Sequence, residues 1–183
     1  SNREAALNHL NNLVLDALGF TPERLTWELK RNTEQLITVP VAARVETSAG
    51  LLLLSIEAGL ADSADDLFAF DEQQLHQTAQ PGQLLEPLWR EAEKKAVHAA
   101  SDAVGEIFST DEPPRYVLVL GGRVVLLAER SKWAEGRYLA VDLDAALERN
   151  DVKRAGELET IAALFSNDAI NPEAAADGGQ SVL

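Results

Sequence analysis

The stretch 51-LLLLSI-56 limits the fold more than any other part of the chain. Four consecutive leucines leave a strand no polar side to turn toward water, so it needs cover on both faces. Ahead of it, 36-LITVPVAARVE-46 is rich in Val, Ile and Leu, and 47-TSAG-50 supplies a turn ending in glycine. Together these predict a β-hairpin over 36–58 with Gly50 in its turn.

Elements that could provide the cover follow from the spacing of apolar residues. Leu7, Leu10, Val14, Leu15 and Leu18 recur at helical intervals, and Gly19 follows where a helix would stop, so Glu4 to Leu18 reads as a short amphipathic helix. Between Glu86 and Phe108, Leu88, Trp89, Ala92, Ala96, Ala99, Ala103 and Ile107 form a stripe opposite Arg90, Lys94, His98, Asp102 and Glu106. That pattern predicts the longest helix of the chain over 86–108. Asp111-Glu112-Pro113-Pro114 ends it. A second hairpin, 115-RYVLVL-120 with 123-RVVLLAE-129, turns through Gly121-Gly122, and a third strand, 138-YLAVDL-143, leads to a helix that Asp144 can cap. Asp62, Asp65, Asp66, Asp71 and Glu72 mark 59–83 as an acidic surface loop or insertion anchored by Phe68 and Phe70. The order helix, hairpin, helix, strands, helix predicts an α/β or α+β fold, a mixed β-sheet flanked by helices.

Composition excludes several chemistries. Without cysteine there is no disulfide framework and no thiolate metal site, which fits a reducing compartment. His9, His76 and His98 are far apart and at no zinc-like spacing. No apolar run approaches the roughly 20 residues that span a bilayer, and no leader of the charged-then-apolar kind opens the chain, so a cytoplasmic protein with no membrane partner is expected. No G-x-G-x-x-G, P-loop, G-x-S-x-G or H-E-x-x-H motif occurs. Gly121-Gly122 precedes a strand, not a helix, which favours a hairpin turn over a phosphate loop. The chain has no methionine, and Ser1-Asn2 reads as the scar of a cleaved tag, so a piece of a longer protein is expected. The expected organisation is one domain over 1–165, then a tail or linker over 166–183 toward a downstream domain.

Charge is uneven on this background. The chain holds 30 acidic and 16 basic residues, yet Arg115, Arg123, Arg130, Lys132 and Arg137 cluster around the second hairpin and Trp133, interspersed with Glu129 and Glu135. Arg123, Arg130, Lys132, Trp133 and Arg137 are the candidate DNA contacts, cations on phosphates and the indole on a base. The alternative is a solvated connection in which Trp133 closes one end of the core.

Two resemblances bear on function. The segment 44-RVETSAGLLLLSIEAG-59, a hairpin ending in an acid with a helix expected after it, resembles the core of PD-(D/E)xK nucleases. That resemblance implies a restriction-endonuclease-like fold, with Glu46 and Glu57 as the acids that would hold Mg2+ and Gly59 where the family has its lysine. The core would thus be a degenerate one. The segments 114-PRYVLVLGGRVVLLAERSKWAEGRYLAVDLDAAL-147 and 158-LETIAALFSNDAINP-172 resemble the amino-terminal region of large type IIG-like restriction-modification proteins and of phage-defence methyltransferases of the DISARM and BREX kind. This implies DNA, a downstream adenine-N6 methyltransferase domain using S-adenosylmethionine, and other defence-system proteins as partners. The methyltransferase tetrapeptide and its glycine-rich loop are absent from this chain. Three functions stay open: an inactive nuclease-like module that positions DNA or docks neighbouring domains, an active Mg-dependent endonuclease, and an interaction scaffold without DNA contact.

Overall fold

The computed structural model describes residues 2–32, 34–143 and 170. Helix α1 (Asn2–Ala17) is followed by strands β1 (Leu25–Arg31), β2 (Gln35–Val41), β3 (Ala43–Thr47) and β4 (Gly50–Glu57). A strap with two short 3-10 helices then leads to β5 (Gln83–Arg90), β6 (Lys95–Ala99), α2 (Ala100–Phe108), β7 (Tyr116–Gly121), β8 (Val124–Glu129), the one-turn α3 (Arg130–Trp133) and β9 (Leu139–Asp142). The fold is α+β. Its strands form two sheets, ordered β1-β2-β5-β6 and β3-β4-β7-β8-β9. The first is antiparallel throughout, and the second is mixed because β4 and β7 run parallel.

The leucine run has the cover it needs. Leu54 and Ile56 of β4 join Val117, Val119, Leu126 and Ala128 in a core shared with α2 and the four-stranded sheet. Leu53, with Leu118, Leu120 and Leu127, packs on the opposite side against Val14, Leu15 and Leu18 of the α1 segment. The five-stranded sheet therefore lies between a helix on one face and a sheet plus a helix on the other. Its middle strands read as unbroken apolar runs because neither face meets water.

Two expectations are corrected. The run 36–46 is not one strand: it breaks at the fully buried Ala42, where the chain passes from the first sheet to the second. Only β3 and β4 form the expected hairpin, closed where Thr47 faces Gly50, while β2 pairs with β1 around Trp27 and with β5. Nor is 86–108 one helix. Residues 83–99 form the β5–β6 hairpin, and helix begins only at Ala100. The helical stripe over this stretch consisted largely of alanines, which bury little area. Leu84, Leu88 and Val97 reach the core instead from strands bonded to the rest of the first sheet, a tertiary override of local propensity. The expected helix after Asp144 lies outside the described residues.

The strap from β4 to β5 is held at both ends. Ala58 bridges to Leu84 and Gly59 to Pro81, and Ala61 and Leu67 are buried, whereas Phe68 is 37% exposed. Small and aliphatic residues thus anchor it alongside the expected phenylalanines, of which Phe70 is half-buried. Glu72 reaches the start of α2, where one carboxylate oxygen accepts hydrogen bonds from the N–H groups of His98 (2.7 Å) and Ala99 (3.2 Å). A carboxylate there satisfies the last two N–H groups of β6, immediately before the helix, and complements the positive end of α2.

Candidate functional site

Strand register places the two candidate acids apart. Glu46 faces Leu51 at the start of β4, and Glu57 is the last residue of that strand. Six residue-to-residue steps along β4 separate those levels, roughly 20 Å at about 3.4 Å each. Glu46 is exposed and paired with Arg44 at 2.9 Å. Glu57 is gripped by Arg24 through Nε (2.9 Å) and Nη2 (2.8 Å) and receives the Asn11 amide at 2.7 Å. Arg24 is itself held by Asn12 Oδ1 and the Asn8 carbonyl of α1. Among the described residues no group of three or more acids and histidines gathers in a shell for a metal ion. Glu46 and Glu57 cannot share one.

The structure also accounts for the residue two places after Glu57. A Cβ at Gly59 would lie 2.4 Å from the Gln80 carbonyl oxygen and 2.5 Å from that of Ala79. Those atoms belong to the returning strap, so the backbones come too close for any side chain. A lysine at 59 has no room.

The cationic island divides. Val124 to Glu129 of β8 separate Arg123 from Arg130, by roughly 24 Å. Arg123 sits by the β7–β8 turn, 3.4 Å from Asp62, at the same end of the sheet as Glu57, whose partner Leu120 pairs in turn with Val125. Arg130, Lys132 and Arg137 lie at the opposite end. There α3 makes one turn, Gly136 adopts a left-handed φ of 75°, and the Arg137 N–H donates to the Lys132 carbonyl at 2.9 Å. This helix-ending geometry returns the chain so that the two cationic residues are neighbours. Lys132 Nζ is 3.9 Å from Glu129, and Arg137 pairs with Glu135 at 3.0 Å on the exposed rim. Arg130 is exposed.

Trp133 is half-buried against the main core. Its ring stacks on Phe68 at 6.1 Å and 21°, and Tyr138 lies 5.0 Å from Phe68 and 6.2 Å from Trp133. Of these rings Phe68 and Tyr138 are the more open, at 37% and 38%. The sequence reading missed Tyr138 and the role of Phe68. Phe68 is 65 positions before Trp133, and no local pattern links them. Arg24 was equally hidden, 33 positions from its carboxylate partner.

The chain matches no family model, no curated protein and no solved structure. Among the described residues no helix is long and apolar enough to cross a membrane.

Proposed function

We propose that this chain is a DNA-positioning module of a larger restriction-modification or defence methyltransferase, with a nuclease-like core that does not cut. The observation that carries the reading is the end of the five-stranded sheet where Lys132 and Arg137 line one cavity with Tyr138, whose ring packs on Phe68, and where Arg130 is exposed on the same one-turn helix as Lys132. In a chain of formal charge −14, such a cluster is the place where phosphates can be neutralised and bases stacked. One element of the connectivity supports the nuclease-like part: hairpin β3–β4 leads, by way of the strap, the β5–β6 hairpin and α2, to β7, which lies parallel to β4. The Arg24–Glu57 pair supports the non-cutting part, because it occupies the acid that metal-assisted hydrolysis would need. S-adenosylmethionine chemistry belongs, in this reading, to a downstream domain.

Fluorescence anisotropy of a labelled duplex across a salt series tests it. Affinity falls steeply with salt, with a dissociation constant no tighter than about 10⁻⁵ M near physiological salt. Replacing Arg130, Lys132 and Arg137 together by glutamine flattens the slope, and Arg123→Gln, at the far end of β8, leaves it unchanged. No binding at about 20 mM salt, where counterion release favours it most, rejects DNA positioning. The scaffold reading, favoured by the exposed Leu139 beside Tyr138, then takes its place.

A further inference from the structure

A cavity of about 260 Å³ opens at this same end of the sheet, walled by Leu127, Leu139 and Tyr138 and bordered by Lys132, Arg137 and Glu129. We infer that it receives one unpaired nucleobase bearing an exocyclic amino group, from single-stranded or locally opened DNA. The inference rests on the DNA reading above and specifies which form of DNA the site holds.

Size and wall chemistry come first. Drug-sized ligands occupy roughly 300–1,000 Å³, so this cavity suits a single heterocycle and not a dinucleotide. Leu139 and the Tyr138 ring, with the buried Leu127 at the back, offer the apolar and aromatic surface on which a base of any sequence gains by stacking. The tyrosine is braced from behind by Phe68 and Trp133, so its ring has little freedom to lose when a base arrives. Two cationic side chains at the border lie where the phosphates flanking an inserted base would run.

The carboxylate supplies selectivity. Glu129 Oε1 accepts from the Ser131 hydroxyl at 2.8 Å, while Oε2 is shut from solvent and accepts no hydrogen bond. Lys132 Nζ stands at 3.9 Å, outside hydrogen-bond range. A buried carboxylate oxygen without a donor is an unfavourable arrangement, and an amino group offered by a ligand corrects it. Lys132 stands beside this oxygen on a flexible stem. When Lys132 turns to a phosphate, Oε2 becomes accessible, and the amino group of cytosine, adenine or guanine can donate to it, as carboxylates accept from cytosine N4 in base readout. Thymine fits poorly because the only N–H on its base-pairing edge lies between two carbonyls, which would face the carboxylate.

Anisotropy titrations with labelled 12-mer oligothymidylates decide it, the central residue being dC, dA, dG, dT or an abasic site. The expected result is about tenfold or tighter binding for the amino-bearing bases over the abasic strand, the scale of one stacked base, with dT between. Glu129→Gln, close in shape, removes the preference over dT while stacking over the abasic strand persists. Tyr138→Ala removes the stacking gain itself, with circular dichroism verifying that the fold is intact. Equal affinity for all five strands overturns the base pocket, and salt-dependent duplex binding that still responds to the cationic triple variant leaves the DNA reading standing. Absence of binding to every strand and to duplex at about 20 mM salt overturns both.

Discussion

Arg24 holds Glu57 with two parallel hydrogen bonds, Nε to Oε1 at 2.9 Å and Nη2 to Oε2 at 2.8 Å, joining the entry to β1 with the end of β4. Such a forked pair is directional as well as charged. Glu57 is the more sheltered partner, at 11% exposed against 32% for Arg24. Losing the arginine leaves a nearly buried carboxylate with the Asn11 amide as its remaining partner among the bonds described. Arg24→Ala is expected to cost about 1–3 kcal/mol, and Glu57→Gln less, because Arg24 stays partly solvated and keeps Asn12. Urea unfolding of both variants and of the double variant measures the coupling. Additive losses would mean that the two side chains act independently.

The same pair bears on cleavage. With Glu57 occupied and Glu46 at the other end of β4, supercoiled plasmid incubated with the protein and Mg2+ or Mn2+ should remain closed. Metal-dependent nicking that disappears in Glu57→Ala would revive the endonuclease alternative.

Gly59 sets a steric test. Gly59→Ala drives a methyl group into the carbonyls of Ala79 and Gln80 and should destabilise by about 1–3 kcal/mol or more. Gly105 in α2 is the matched control, since a Cβ there meets nothing within 4 Å. Gly105→Ala should stabilise by about 0.5–1 kcal/mol, through helix propensity and a less disordered unfolded chain. Thermal melts of the two variants should therefore shift in opposite directions.

What the sequence made legible follows from the range of the forces involved. The hairpins at 47–50 and 121–122 were readable because turn chemistry and apolar runs are local. The leucine run implied cover on both faces, yet it could not say that one cover is a second sheet. That depends on Leu84, Leu88 and Val97 finding the core from strands, against a helical period carried mainly by alanines. Site residues divide along the same line. Arg130, Lys132, Trp133 and Arg137 stood out as a local departure in charge, whereas Phe68, Tyr138 and Arg24 acquire meaning only through contacts made in space.

Glu72 gives the acidic strap a structural task. Its carboxylate caps the start of α2 through the N–H groups of His98 and Ala99. Glu72→Ala should lower stability by about 1 kcal/mol, as the loss of an N-terminal cap does. Glu72→Gln should lose less, keeping an acceptor but not the charge. Hydrogen exchange at the junction of β6 and α2 locates the effect, and unaltered protection of His98 and Ala99 in Glu72→Ala would count against the cap.

Trp133 separates packing from recognition. Its indole is half-buried against the core and stacked on Phe68, so truncation opens a void at the end of β8 and withdraws support from Tyr138. Removing a fully buried tryptophan costs about 3–5 kcal/mol, so a half-buried one should cost about 2 kcal/mol. In a chain of this length that corresponds to a melting point lower by roughly 4–8 °C. Trp133→Phe retains an aromatic partner for Phe68 and should recover most of the loss. Tyr138→Ala, at a more open ring, should move the melting point much less than Trp133→Ala does while weakening DNA binding more. The measurement is a thermal melt paired with an anisotropy titration on each variant. If Trp133→Ala melts like the parent protein and binds DNA more weakly, the indole is a contact surface and not a packing residue, and the division of roles between Trp133 and Tyr138 is reversed.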